Sequence, residues 1–198
     1  LGTFIATLTF SLEAAVLGGV TASLVTYLYR SARPSLRTMG FDKRFSDDER
    51  RPFVIIDGAP AGSLPECPQL QLLRMEGSVY FGAVAHVAEH LHMLRTAPSA
   101  PKRLMVMTKG MTTIDLAGVE MWQAELLRRR AMGGDLYFHR PRPQVLQVWR
   151  RSGFIDRLGP EHVFDSKRVA LATIVPQLDD DICARCTARV FDECRQRP

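Results

Sequence analysis

Cysteine is scarce in this sequence, with four residues in 198. That is too few for a disulfide scaffold in a chain of this length, and it fits a reducing compartment. Aromatic residues make up only 8%, and no strand-like stretch alternates them with basic residues as a base-stacking surface does. The formal charge of +5 is scattered along the chain, so nucleic acid is not an expected partner. There is no glycine-rich phosphate loop and no nucleophile elbow to carry a Ser-His-Asp arrangement. Nothing in these patterns argues for an enzyme, and no cofactor is implied.

Charge is what the first thirty residues lack. From residue 2 to residue 29 the one charged side chain is Glu13. A helix of that length would reach roughly 42 Å, more than one hydrocarbon core requires. A signal peptide would place its basic residues ahead of a shorter apolar stretch. Here Arg30, Arg33, Arg37, Lys43 and Arg44 follow it, against Asp42 alone. By the positive-inside rule that end faces the cytoplasm, with everything downstream. Residues 1–30 are therefore expected to supply one or two transmembrane helical segments. Either two short helices (2–12 and 14–29) break at Glu13, or one short span (14–29) has Glu13 at its boundary. In the first case Glu13 is an intramembrane polar residue facing protein or water. Gly18, Gly19, Thr21, Ala22 and Ser23 offer small faces for close helix packing. The chain begins at Leu1 instead of Met, which reads as a processed chain or a piece of a longer one.

Residues 31–65 read as a connector, with a short peripheral strand at 53–56. Residues 66–178 form a domain in which strand and helix alternate, and residues 179–198 are a cysteine-containing tail. Strands are predicted at 70–75 and 78–81 around a turn at Glu76-Gly77, then at 103–107 and 136–139. Helices are predicted at 82–94, with Val84, Val87, Leu91 and Leu94 on one face, and at 116–130, with Leu116, Val119, Leu126 and Leu127 on one side and Asp115 as N-cap. Further helices are expected at 143–151 and from Asp165 or Ser166 to about 178. A small mixed β-sheet flanked by helices, of the α/β class, is the expected architecture.

Three constellations carry chemistry. His86, Glu89 and His90 match the spacing of an inverted zinc-peptidase motif, but they lie opposite the apolar stripe of their helix and read as a solvated face. Cys183-x-x-Cys186, with Cys194 eight residues on, can supply three thiolates to a metal, completed by Cys67 or a histidine. A second complete C-x-x-C pair is missing, so no metal is assigned and reduced thiols packing the tail are the simpler reading. Thr112, Thr113, Asp115, Ala117 and Gly118 bridge a buried strand and a helix N-terminus, where backbone N–H groups can accept an anion or simply be capped.

These residues resemble a known family. The strand at 103–107, the turn Ile114-Asp115-Leu116-Ala117-Gly118, the run Gly134-Asp135-Leu136-Tyr137-Phe138 and the run Trp149-Arg150-Arg151-Ser152-Gly153-Phe154 are similar to a STAS domain. That domain is shared by sulfate-permease (SulP) anion transporters and bacterial anti-sigma factor antagonists. The stretch from Cys67 to Ala83 looks like the transporter version, and residues 7–29 resemble the end of the permease membrane domain. The resemblance implies the C-terminal portion of a secondary-active transporter of sulfate, bicarbonate or dicarboxylates. It implies a multi-pass inner-membrane location, a dimer, and a cytoplasmic STAS domain that regulates the rest of the membrane domain or binds a cytoplasmic protein at the Thr112–Gly118 turn. The alternative is an interaction switch of the antagonist kind. In antagonists a hydroxyl residue at the third position of the turn is phosphorylated. Ala117 stands there in this chain, so that phosphoswitch is not expected.

Overall fold

The computed structural model describes residues 12–42, 52–57 and 64–196, so residues 1–11 of the expected membrane end lie outside the described part. The chain divides into two units, Leu1–Arg33 and Pro34–Pro198.

In the first unit, helix α1 spans Leu12–Ser31, with Glu13 in its first turn and Arg30 in its last. Both charges complement the helix dipole at their ends. No helix among the described residues is long and apolar enough to cross a membrane, so the expected transmembrane segments are not supported. The reason is composition: Glu13, the two glycines, Thr21, Ser23 and Thr26 dilute the Leu and Val residues of α1. Glu13 is exposed in the first turn of α1. Val16, Leu17, Val20, Leu24 and Val25 are all more than half exposed.

The second unit is built on a six-stranded sheet of order β2-β1-β3-β4-β5-β6. Its strands are β1 Ser35–Gly40, β2 Val54–Ile55, β3 Leu70–Val79, β4 Arg103–Ile114, β5 Leu136–His139 and β6 Val163–Phe164. β1 runs antiparallel to β2 and β3, while β3, β4, β5 and β6 are mutually parallel. Helices α2 Phe81–Thr96, α3 Leu116–Ala131, α4 Pro143–Arg151, α5 Phe154–Leu158, α6 Lys167–Ile174 and α7 Asp180–Arg185 follow in chain order. The α/β class and the mixed sheet flanked by helices are as expected.

Two differences from the sequence reading matter. The turn at Glu76-Gly77 does not break the strand. β3 runs through it, with register shifts against β4 between Arg74 and Glu76 and between Gly77 and Val79. Gly77 has φ +110° and lies against Pro34, so glycine here makes a bulge inside a strand, not a reversal. β1 also comes from the stretch read as a connector, pairing with β3 from Ser35↔Glu76 to Met39↔Leu72.

Parallel strands are covered on both faces, and the period-2 alternation of side chains divides the core accordingly. Leu73, Met75, Leu104, Val106, Leu136 and Phe138 pack against α2 to α5 through Val87, Leu91, Trp122, Leu126, Trp149 and Phe154. Trp122 meets Phe138 edge-on at 5.2 Å, and Trp149 lies 4.6 Å from the same ring on its other contact. Leu70, Leu72, Met105, Met107 and Tyr137 face the other way, toward Leu171, Ile174, Leu178 and the tail residues Val190 and Phe191.

One ionic group sits inside the first layer. Glu125 and Arg129 are both buried on α3. Arg129 Nε donates to Glu125 Oε1 at 2.7 Å, and Arg95 of α2 pairs with the other carboxylate oxygen. Arg129 Nη1 also donates to the Pro101 and Lys102 carbonyls, at 3.2 and 3.4 Å, ahead of β4. Charges left in such a place must be paired. Burial pulls the Arg129 pKa down while the Glu125 carboxylate holds it up.

Candidate functional site

β3 and β4 are parallel neighbours, so each delivers the start of its following helix to the same edge of the sheet. Asp115, the residue after β4, is the N-cap of α3: its Oδ1 accepts from Gly118 N at 2.9 Å. Its Oδ2 accepts from Phe81 N, the first residue of α2, also at 2.9 Å. Asp115 N in turn donates to Val79 O at 3.1 Å. One carboxylate thus caps two helices. The N–H groups of Gly118 and Phe81, which a helix start would otherwise offer to an anion, are taken up by the protein itself.

The rest of the turn is held from beneath. The hydroxyls of Ser78 and Thr112 are 2.8 Å apart, joining β3 to β4. Gln144 Nε2 of α4 donates to Thr112 O at 2.6 Å, and Arg142 Nε to Lys109 O at 2.9 Å. Gly118 is buried, and a Cβ there would meet Val79 O at 2.7 Å. Only glycine lets α3 start this close to the end of β3. Thr113 is exposed and Ala117 partly so.

The structure thus brings together Thr112, Thr113, Asp115, Ala117 and Gly118, all named from the sequence. It adds two residues that periodicity misassigned. Phe81 is 81% exposed and Leu116 63% exposed, one at the first position of each capped helix. Periodicity puts Leu116 on the apolar side of its helix together with Leu127, yet both are exposed. The buried side of α3 instead carries Met121, Trp122, Glu125 and Arg129 beside Val119 and Leu126. The signal was a large apolar residue directly beside an N-cap. The turn is a hydrogen-bonded polar knot with two exposed apolar side chains at its edge.

His86, Glu89 and His90 lie on α2, but His90 is partly buried and burial pulls its pKa down. Among the described residues no group of three or more His, Cys, Asp or Glu side chains is placed to hold a metal ion. Cys183, Cys186 and Cys194 are all free thiols, as is Cys67. The four line one cavity at the opposite end of β3 from Asp115.

Residues 63–170 match the family model described as STAS domain, and the chain belongs to the STAS domain family. Two solved structures agree in fold. A murine Slc26a9 anion transporter in the inward-facing state is similar with a TM-score of 0.70 at 16% identity, over 88% of this chain and 28% of that one. The overall structure of SLC26A9 gives 0.69 at 14% identity, over 90% of this chain and 30% of that one. A sulfate transporter family protein from Wolinella succinogenes gives 0.49 at 23% identity, over 61% of this chain and 97% of that one. The chain spans less than a third of the length of the first two. No curated protein matches the sequence significantly.

Proposed function

We propose that the chain is the C-terminal portion of a secondary-active transporter of sulfate, bicarbonate or dicarboxylate anions, with its STAS domain as a cytoplasmic regulatory and interaction module. One observation carries this reading: the likeness to an anion-transporter structure covers 88% of the chain, well beyond the 63–170 stretch that defines the domain. In this reading the membrane part of the same transporter is the main partner, in an inner membrane and as a dimer, and no catalysis is assigned. Phe81 and Leu116 are the contact residues. Asp115 holds them in place, and Ala117 leaves the turn without the hydroxyl on which the antagonist phosphoswitch depends.

The test is transport by the intact gene product in sealed vesicles. Uptake of one of these anions, altered by Phe81→Ser with the protein still inserted, supports the proposal. Absence of flux with every oxyanion and carboxylate tried sinks it.

A further inference from the structure

The chain's four cysteines come from three segments: Cys67 just ahead of β3, Cys183 and Cys186 at α7, and Cys194 in the final 3-10 turn. More than a hundred residues separate the first from the others, yet all four line one cavity with Pro68, Gln69 and Arg189. The cavity holds about 10 Å³, roughly the room of one water-sized sphere. That excludes an organic ligand and suits a single ion.

The surroundings favour sulfur as an acceptor. Gln69 is buried, and its side chain clamps the start of α7: Oε1 accepts from Asp179 N at 2.8 Å, and Nε2 donates to Asp179 O at 3.0 Å. The same Nε2 donates to Cys183 Sγ at 3.4 Å. Burial pushes the Cys67 thiol up to about 11 and raises the Cys194 thiol, while backbone N–H groups of Gln69 and Leu70 at Cys67, and of Phe191 at Cys194, pull the other way. Cys186 N donates to Cys183 O at 3.1 Å, closing the end of α7, and both side chains line the cavity. N–H donors aimed at sulfur are what ligating thiolates use to orient and spread their charge. Arg189, on the cavity wall, offsets the negative charge that four thiolates leave on a divalent ion.

We propose that Cys67, Cys183, Cys186 and Cys194 bind one zinc ion in tetrahedral S4 coordination, which staples the C-terminal tail to the sheet. Four soft ligands and no hard oxygen select zinc over calcium or magnesium. On binding, each thiol gives its proton to solvent and forms one S–Zn bond, and the ion loses its waters with no change of oxidation state. The four thiols line one cavity but are not placed to hold an ion as they stand, so binding requires the 183–194 segment to close on it. Ordering of the tail is therefore coupled to metal. The site is independent of the transporter reading and of the Asp115 turn.

Cobalt(II), titrated alone into the reduced full-length chain, is the probe. One equivalent giving intense tetrahedral d–d bands with sulfur-to-cobalt charge transfer, displaced by zinc, is the expected result. Cys67→Ser and Cys186→Ser should each remove that spectrum, and Cys186, which is not in the core, guards against loss of folding as the cause. A weak octahedral spectrum from the unsubstituted chain overturns the proposal, as does an unchanged spectrum in Cys67→Ser. So does a chain that takes up no metal after reduction and, when air-exposed, has lost the mass of two hydrogens to a bridge between Cys67 and the tail.

Discussion

The Asp115 carboxylate accepts the first backbone N–H of α2 at Phe81, 2.9 Å away, while it caps its own helix α3. Two helices that are separated by the whole of β4 in sequence therefore share one acceptor. The exposed ring of Phe81 is placed by a residue 34 positions downstream.

Asp115→Ala should uncap both helices and cost about 1–2 kcal/mol, the upper part of the range for a single cap. Asp115→Asn, which keeps one good acceptor, should cost less than half of that. Denaturant unfolding with an unchanged m-value measures both. Equal losses for the two variants would contradict the double cap.

The buried pair Glu125–Arg129 is expected to be far more sensitive to losing one member than both. Arg129→Met leaves a carboxylate with only Arg95 at the edge of the core, and Glu125→Gln strands a guanidinium; each should cost about 3–5 kcal/mol. Glu125→Leu combined with Arg129→Met should recover most of the loss. A double-mutant cycle by thermal or chemical denaturation reads the coupling directly, and additive losses would count against it.

Gly118→Ala pushes a methyl group to within 2.7 Å of the Val79 carbonyl, and to 2.8 and 2.9 Å from side-chain carbons of Ile114 and Val79; the carbonyl belongs to the strand backbone and cannot swing aside. A loss of about 1–3 kcal/mol is expected, typical of overpacking, together with displaced amide resonances at Phe81 and Asp115. Stability within error of the parent would show that α3 can move away freely.

Acid should weaken the fold through two histidines. Burial holds the imidazoles of His90 and His139 below the ordinary range. Around His139, Arg140 and Lys167 push the same way and Asp165 opposes them; around His90, His86 pushes the same way and Asp57 opposes it. Both rings bind a proton less readily in the fold than in the open chain, so the unfolded state binds more protons as pH falls below about 6.5. Their contribution is thus complete above about pH 7 and declines as pH drops. Denaturation midpoints taken from about pH 8 to about pH 5 should fall, and the double change His90→Gln, His139→Gln should flatten that fall. A midpoint that rises on acidification is the wrong sign.

Phe81→Ser and Leu116→Ser lie at exposed positions and should leave stability within about 0.5 kcal/mol. In the intact transporter they should change flux or partner capture without changing the amount of folded protein, as judged by protease resistance. Loss of folded protein would assign both residues to the core instead.

Much of this was legible in the sequence where one signal dominates locally. β5 and α4 fall at the bounds that their apolar runs and flanking glycine and proline imply, and Asp115 is the N-cap its position suggests. The turn residues Thr112 to Gly118 were recognisable for the same reason. What failed depended on distant partners. Gly77 reads as a reversal unless one knows that β1 and β4 both pair through that region. The burial of Glu125 and Arg129 has no local signal, because only the fold supplies Arg95 and two carbonyls around them. Leu116 and Leu127 fit an apolar stripe, but the sheet selects a different side of α3, the one holding Trp122. Cys67 could be named as a fourth thiol, but nothing local to it shows that the tail returns to it.

β3 carries the capped turn at one end and the cysteine cavity at the other. Ten residues of extended strand separate them, about 30 Å at ordinary strand rise. A partner bound over Phe81 and an ion held by the thiols therefore cannot exclude one another by contact. Influence between the two would have to pass through the strand, whose pairing with β4 is irregular at Gly77.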